Sequence, residues 1–339
     1  MPTRKVQLTG SSTFTISLPK EWARDHGIEP GMDLTLSAGH DGELVIGAEQ
    51  AGDPPVPEVA VDSLSPAAVR AVVRACYVAG VERFRLVADA ERGFEADARR
   101  AVDDAVTALV GLDVHRETDA ELELAVPIDA GELGVERTLL QLQFVALSMQ
   151  SDAVAALVEG DDDLVGDVRD RATDARRKYA LLDRTFQRTL TDRQTLDGVD
   201  VGRPLLYDYA VVARHLRGVA RQATHLATLA ADSDLAPAHD EVVTARAREA
   251  RDVVDRAVDA VIDGDDPGTG YDLSQTCAAL RDDLDAAVRT AIEDARTDDG
   301  DEAARRVETF CRALWRLDRT VTHAERIAER ATEAAVRPR

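Results

Sequence analysis

Aromatic side chains are scarce in this sequence: Phe, Trp and Tyr make up 4% of 339 residues. Lysine is nearly missing, with Lys5, Lys20 and Lys178 set against 38 arginines. The three cysteines, Cys76, Cys277 and Cys311, lie far apart and outside any CxxC pair. That spacing excludes a disulfide framework and a zinc finger. No apolar run reaches the length of about 18 residues that a membrane-spanning helix needs, so no membrane insertion is expected. The opening MPTRKVQLTG lacks the apolar stretch of a secretory signal, and a cytoplasmic location is expected. Catalytic signatures are missing as well: there is no GxGxxG, no GxxxxGK[ST] and no HExxH. We expect a protein that is not an enzyme.

What remains is apolar enough, at 45%, to build real cores. Ala, Val, Leu, Arg and Asp dominate, a mixture that favours helices packed through small aliphatic side chains. Acidic residues outnumber basic ones by 64 to 41, for a net charge of −23. An acidic surface so poor in Lys suits a salt-rich cytoplasm, where self-repulsion is screened. The charge is also uneven. Residues 1–24 carry Arg4, Lys5, Lys20 and Arg24 against Glu21, a local +3, and the rest of the chain carries −26.

The first 50 residues are rich in strand signals. Val6, Leu8, Phe14, Ile16 and Leu18 alternate with polar residues, and Gly10-Ser11-Ser12 divides them into two strands. Pro19 starts a short helix with Trp22 facing inward, and Gly27 ends it. Leu34 and Leu36, then Leu44 and Ile46, form a hairpin about Asp41-Gly42. So small a module has too little core to stand alone, and a homodimer sharing one core through residues 1–50 is expected. The segment Gly10–Ile46, with its SLPKEW helix start and Gly-Ile-x-x-Gly turn, resembles the AbrB/SpoVT type of swapped-hairpin DNA-binding domain. The resemblance implies an intertwined dimer whose basic face meets double-stranded DNA. The candidate contacts are Arg4, Lys5, Gln7, Ser11, Ser12, Thr13, Lys20 and Arg24. Arg and Lys hold phosphates; Gln, Ser and Thr also reach base edges.

Residues 51–129 begin with a proline-rich linker, AGDPPVP, and continue as a small α+β domain in the order αβαββ. Its first helix, Pro66–Gly80, turns Val69, Val72, Val73, Cys76 and Ala79 to one face, with Cys76 a packed core thiol. His115 stands alone and reads as structural.

Residues 130–339 read as six amphipathic helices, near 133–159, 163–191, 204–231, 238–264, 272–297 and 301–335. RHLRGVARQATHLA (Arg214–Ala227) aligns with RTVTHAERIAERAT (Arg319–Thr332) at an offset of 105 residues, so the all-α half is a duplicated three-helix bundle. AERIAERA (Ala324–Ala331), and more weakly VRDRATDARRKYALLDR (Val168–Arg184), resemble the PhoU family of phosphate-uptake regulators. The order of the three segments is similar to the archaeal version of that family. The resemblance implies carboxylates four apart that hold a divalent metal or iron. Glu325 and Glu329 fit that pattern. Their first-repeat equivalents are Ala220 and Thr224, which do not ligate. Asp170 and Asp174 have the spacing in a register shifted by two, where the family motif would place Ala172 and Arg176. Surface charge is the competing reading of all four carboxylates. His225 and His323 read as structural. Two functions stay open: a DNA-binding transcriptional regulator of phosphate uptake, or an adaptor that dimerises and docks on the ATPase component of a phosphate transporter without binding DNA.

Overall fold

The computed structural model describes residues 3–10, 13–38, 44–48, 56–127, 134–191, 195, 198–199, 201–230, 235–264, 266–296 and 301–337. They fall into two compact units, 1–55 and 56–339.

In the first unit, β1 (Gln7–Thr9) pairs antiparallel with β2 (Thr13–Thr15), with Leu8 opposite Phe14. Pro19 cannot donate a backbone hydrogen bond and so begins α1 (Lys20–Asp25), whose first turn closes from Ala23 N–H to the Pro19 carbonyl at 2.9 Å. β3 (Leu34–Ala38) and β4 (Leu44–Ala48) form a second antiparallel pair, Leu36 facing Ile46. The expected order of elements is present, but the two hairpins remain separate two-stranded sheets. Trp22 departs from expectation. No residue of α1 is buried, and its indole stacks on His26 with ring centroids 4.7 Å apart. One copy of this unit has no core for Trp22 to enter. The hairpin turn at Asp41-Gly42 and the prolines at 54 and 55 lie outside the described residues.

The second unit opens with β5 (Glu58–Ala60), α2 (Pro66–Val78), β6 (Arg83–Val87), α3 (Ala96–Ala108), β7 (Asp113–Glu117) and β8 (Glu121–Ala125). The sheet order is β5-β6-β8-β7, with β5 parallel to β6. The order is thus βαβαββ rather than αβαββ. β5 is three residues long, and parallel pairing with β6 creates it, so local alternation gives no sign of it. Ser65 caps α2 by accepting from Ala68 N–H. The helix buries Val69, Val73 and Tyr77, while Val72 and Cys76 are half-buried and Ala79 is exposed.

Six helices follow: α4 (Val135–Glu159), α5 (Asp162–Thr191), α6 (Arg203–Ala227), α7 (Pro237–Asp263), α8 (Pro267–Ala295) and α9 (Asp301–Ala335). α4, α5 and α6 pack on one another, as do α7, α8 and α9; α4 against α7 and α6 against α9 join the two sets. One core of Leu, Val and Ala runs through both. α8 starts at Pro267, not 272. Asp266 accepts from Gly268 N–H, and Gly270 lets α8 approach α9. A Cβ at Gly270 would stand 2.6 Å from the Ala328 carbonyl. The GTG reads as a loop from sequence because only the neighbouring helix gives it a reason to be helical.

The α+β layer and the bundle share one unit because α5 reaches into both. Ala180 of α5 belongs to the core under the sheet. The buried Arg184 guanidinium donates to the carbonyls of Tyr77 (2.6 Å) and Val81 (3.0 Å) and lies over the Tyr77 ring. Burial lowers its pKa to about 10.

Candidate nucleic-acid interface and carboxylate positions

β1 and β2 form a ribbon with two unlike faces, because paired residues point to the same side and successive ones to opposite sides. Gln7, Thr9, Thr13 and Thr15 share the polar face, where Thr9 and Thr15 hydroxyls meet at 2.9 Å. Leu8 and Phe14 share the other and are 61% and 74% exposed. Val6, Ile16, Leu36 and Leu44 are exposed as well. A solitary two-stranded hairpin is marginal in water, and bare apolar surface of this extent is what an association face presents.

Arg4, Lys5, Gln7, Thr13, Lys20 and Arg24 are all exposed. Ser11 and Ser12 lie outside the described residues. Lys20 and Arg24 are four apart on α1 and so share a side of it. The Arg4 guanidinium donates only to the neighbouring Thr3 carbonyl, at 3.2 Å. Among the described residues none of the four cations has a carboxylate within ion-pair distance. They are free to meet an anion.

The four carboxylates named as metal ligands are not assembled into a site. Glu325 is held by Arg281 at 3.4 Å, and Arg281 also holds Asp318 at 3.0 Å. Glu329 is held by Arg326 at 2.7 Å. Asp174 pairs with Lys178 at 3.5 Å, and Asp170 is exposed on α5. Among the described residues no three His, Cys, Asp or Glu side chains converge to hold a metal ion. Ala220 is buried, and the Thr224 hydroxyl donates to the Ala220 carbonyl. Three of the four carboxylates stand in ion pairs, with Arg281, Arg326 and Lys178.

His323, read as structural, has a partner that spacing alone does not give. Its Nδ1 lies 3.3 Å from Nδ1 of His215, across the α6–α9 contact. Burial, then His215, Arg319 and Arg221, depress the His323 pKa to about 4. Two signals in the sequence point here. No acidic residue occurs between Asp208 and Asp232, and the 105-residue repeat sets Gly218 against His323. A second anchor joins the same helices further along. Buried Asp208 at the start of α6 pairs with Arg330, at 2.9 Å, and with Arg337.

Residues 7–53 match the family described as antidote-toxin recognition MazE, bacterial antitoxin, and residues 139–230 match the PhoU domain. The crystal structure of PhoU from Pseudomonas aeruginosa is similar over 59% of this chain and 94% of its own, at 20% identity and a TM-score of 0.51. That of the phosphate transport system regulatory protein PhoU from Streptococcus pneumoniae is similar over 60% of this chain and 93% of its own, at 13% identity and a TM-score of 0.50. A comparison with curated proteins gave no match. The chain therefore carries an N-terminal MazE/AbrB-like domain and a PhoU domain, and its helical part has the PhoU fold.

Proposed function

We propose that this protein is a DNA-binding regulator of phosphate uptake. Two copies pair through residues 1–50 and grip duplex DNA with Arg4, Lys5, Lys20 and Arg24. The helical body reports phosphate status through contact with the ATPase component of a phosphate transporter. The observation that carries this reading is the union, in one chain, of a MazE/AbrB-like domain with a PhoU domain. The bare apolar ribbon face, and four cations that have no carboxylate within ion-pair distance among the described residues, support the DNA-binding half. Regulation then requires two states of the body with different DNA affinity, each favoured by a different partner.

The reading is non-catalytic and cytoplasmic. No helix of the described residues is long and apolar enough to cross a membrane.

Chromatin occupancy in phosphate-rich and phosphate-starved cells tests the reading. The expected result is promoter occupancy that changes with phosphate and disappears when the four N-terminal cations are reversed to Glu. Occupancy indifferent to that reversal sinks it and leaves the adaptor that docks on a transporter without touching DNA.

A further inference from the structure

A second cationic surface lies on the helical body. α6 and α9 cross where Gly218 meets the imidazole of His323. A Cβ at 218 would stand 2.3 Å from His323 Nε2, so glycine is what permits the approach. The crossing brings the rings of His215 and His323 to a centroid distance of 5.5 Å. Four guanidiniums surround this pair. Arg214 and Arg326 act on His215, and Arg319 and Arg221 act on His323; each adds to burial in favouring the neutral imidazole. Glu329 is the one carboxylate acting on the pair, and it is bound to Arg326 at 2.7 Å.

All four arginines are exposed. Among the described residues, Arg214, Arg221 and Arg319 have no carboxylate within ion-pair distance. The chain has 64 acidic residues for 41 basic ones, and neighbouring Arg281 on α8 is held by Asp318 and Glu325. The repeat explains the cluster. An offset of 105 relates Arg214 to Arg319 and Arg221 to Arg326, so the crossing carries two copies of one arginine pair. The strip continues along α9 through Arg316, which lies over the exposed Trp315, to Arg312, which pairs with Glu308 at 4.0 Å. From Arg312 to Arg326 the helix rises about 21 Å.

We propose that the α6–α9 crossing is a binding site for phosphate oxyanions, held by Arg214, Arg221 and Arg319 above the His215–His323 pair. Guanidinium forks match phosphate oxygens in pairs. Burial and the arginines favour the neutral imidazoles before binding; the negative charge of an arriving phosphate group offsets the field of the arginines, and one ring takes a proton from solvent and donates to it. Two sources present this chemistry. Free inorganic phosphate makes the body itself a sensor, which deepens the regulator reading. The phosphodiester backbone of DNA makes the strip a second grip on the duplex.

Imidazole NMR of the full chain at fixed ionic strength tests the site with three probes: inorganic phosphate, a short DNA duplex, and sulfate. The duplex is added to a chain whose four N-terminal cations are reversed to Glu, so that any response arises in the body. Phosphate or duplex is expected to raise the pH midpoints of His215 and His323 by about one unit, with sulfate raising them less. The Arg221→Gln/Arg319→Gln variant is expected to lose the shift while keeping its melting temperature. Glu329→Gln, which frees Arg326, is expected to tighten binding several-fold. No shift with either phosphate or duplex, an equal shift in the double variant, or a sulfate response matching phosphate overturns the proposal. The DNA-regulator reading fails separately, by promoter occupancy indifferent to the N-terminal cations, and a shift with inorganic phosphate survives that failure.

Discussion

Phe14 and Phe84 are both strand phenylalanines in alternating apolar patterns, yet Phe14 is 74% exposed and Phe84 is wholly buried. The same contrast holds for Leu8 and Leu36 in the first unit against Leu86 and Leu124 in the second. Around Phe84 the chain supplies its own cover: α2 and α3 lie on the sheet, and Ala180 of α5 closes the layer. Around Phe14 it supplies two hairpins and a six-residue helix, and no described side chain among them is buried. Burial is worth about 25 cal/mol per Å² of apolar surface, and a single copy of the first unit leaves that gain uncollected. The second unit folds on itself; the first leaves its apolar face bare, which is the ground for the pairing proposed above.

The sharpest way to break this contrast is to put a charge on the exposed ribbon. Phe14→Asp is expected to turn a dimer into a monomer in analytical ultracentrifugation and to weaken operator binding by at least about 100-fold, since two linked contacts become one. The thermal transition of the second unit should not move. A dimer that persists would place association elsewhere in the chain.

Within the second unit, Arg184→Ala attacks the join between layer and bundle. It removes the donor to the Val81 carbonyl and one of two donors to the Tyr77 carbonyl, which keeps Gly80 N–H, and it empties a buried site, so denaturant melts should show a loss of about 3 kcal/mol. Gly270→Ala comes next. Its Cβ would press on the Ala328 carbonyl and on Thr332, so a loss of about 2 kcal/mol is expected unless α8 and α9 separate. The His pair gives a pH test of the same packing. His323 has a folded pKa of about 4 against an ordinary 6.5. Its neutral form supports the fold fully above pH 6.5, and the support is lost as pH falls toward 4, because the unfolded chain takes the proton first. Melts between pH 7 and 5 should slope downward, and His323→Asn should flatten the slope. Smallest of all, Arg70→Ala removes an exposed pair with Asp104 at 3.7 Å and should change stability by less than about 0.5 kcal/mol.

Much of the architecture was legible in the sequence. The six long helices were visible because their apolar residues recur with helical period over 25 or more positions. Their starts were less so: Pro267-Gly268-Thr269-Gly270 reads as a loop until α9 is placed against it. β5 was invisible for a related reason, since three residues after a run of prolines become a strand only when β6 lies beside them. Tyr77 escaped the core list because its ring is placed by the Val110 carbonyl and by Arg184, over 30 and 100 residues away. The carboxylate motif shows the opposite limit. Its spacing is local and readable, but the arginines that claim Glu325 and Glu329 decide its use.

Period, punctuation and charge distribution are properties of neighbouring residues, and the sequence alone determined them: two kinds of module, a duplicated bundle, a basic start on an acidic chain. Pairings across the chain are not such properties. That Gly218 admits His323, that Arg184 bridges to Tyr77, and that Arg214, Arg221 and Arg319 gather with no carboxylate partner among the described residues were decided by tertiary structure, because an interaction energy depends on distance in space and the chain fixes distance only along itself.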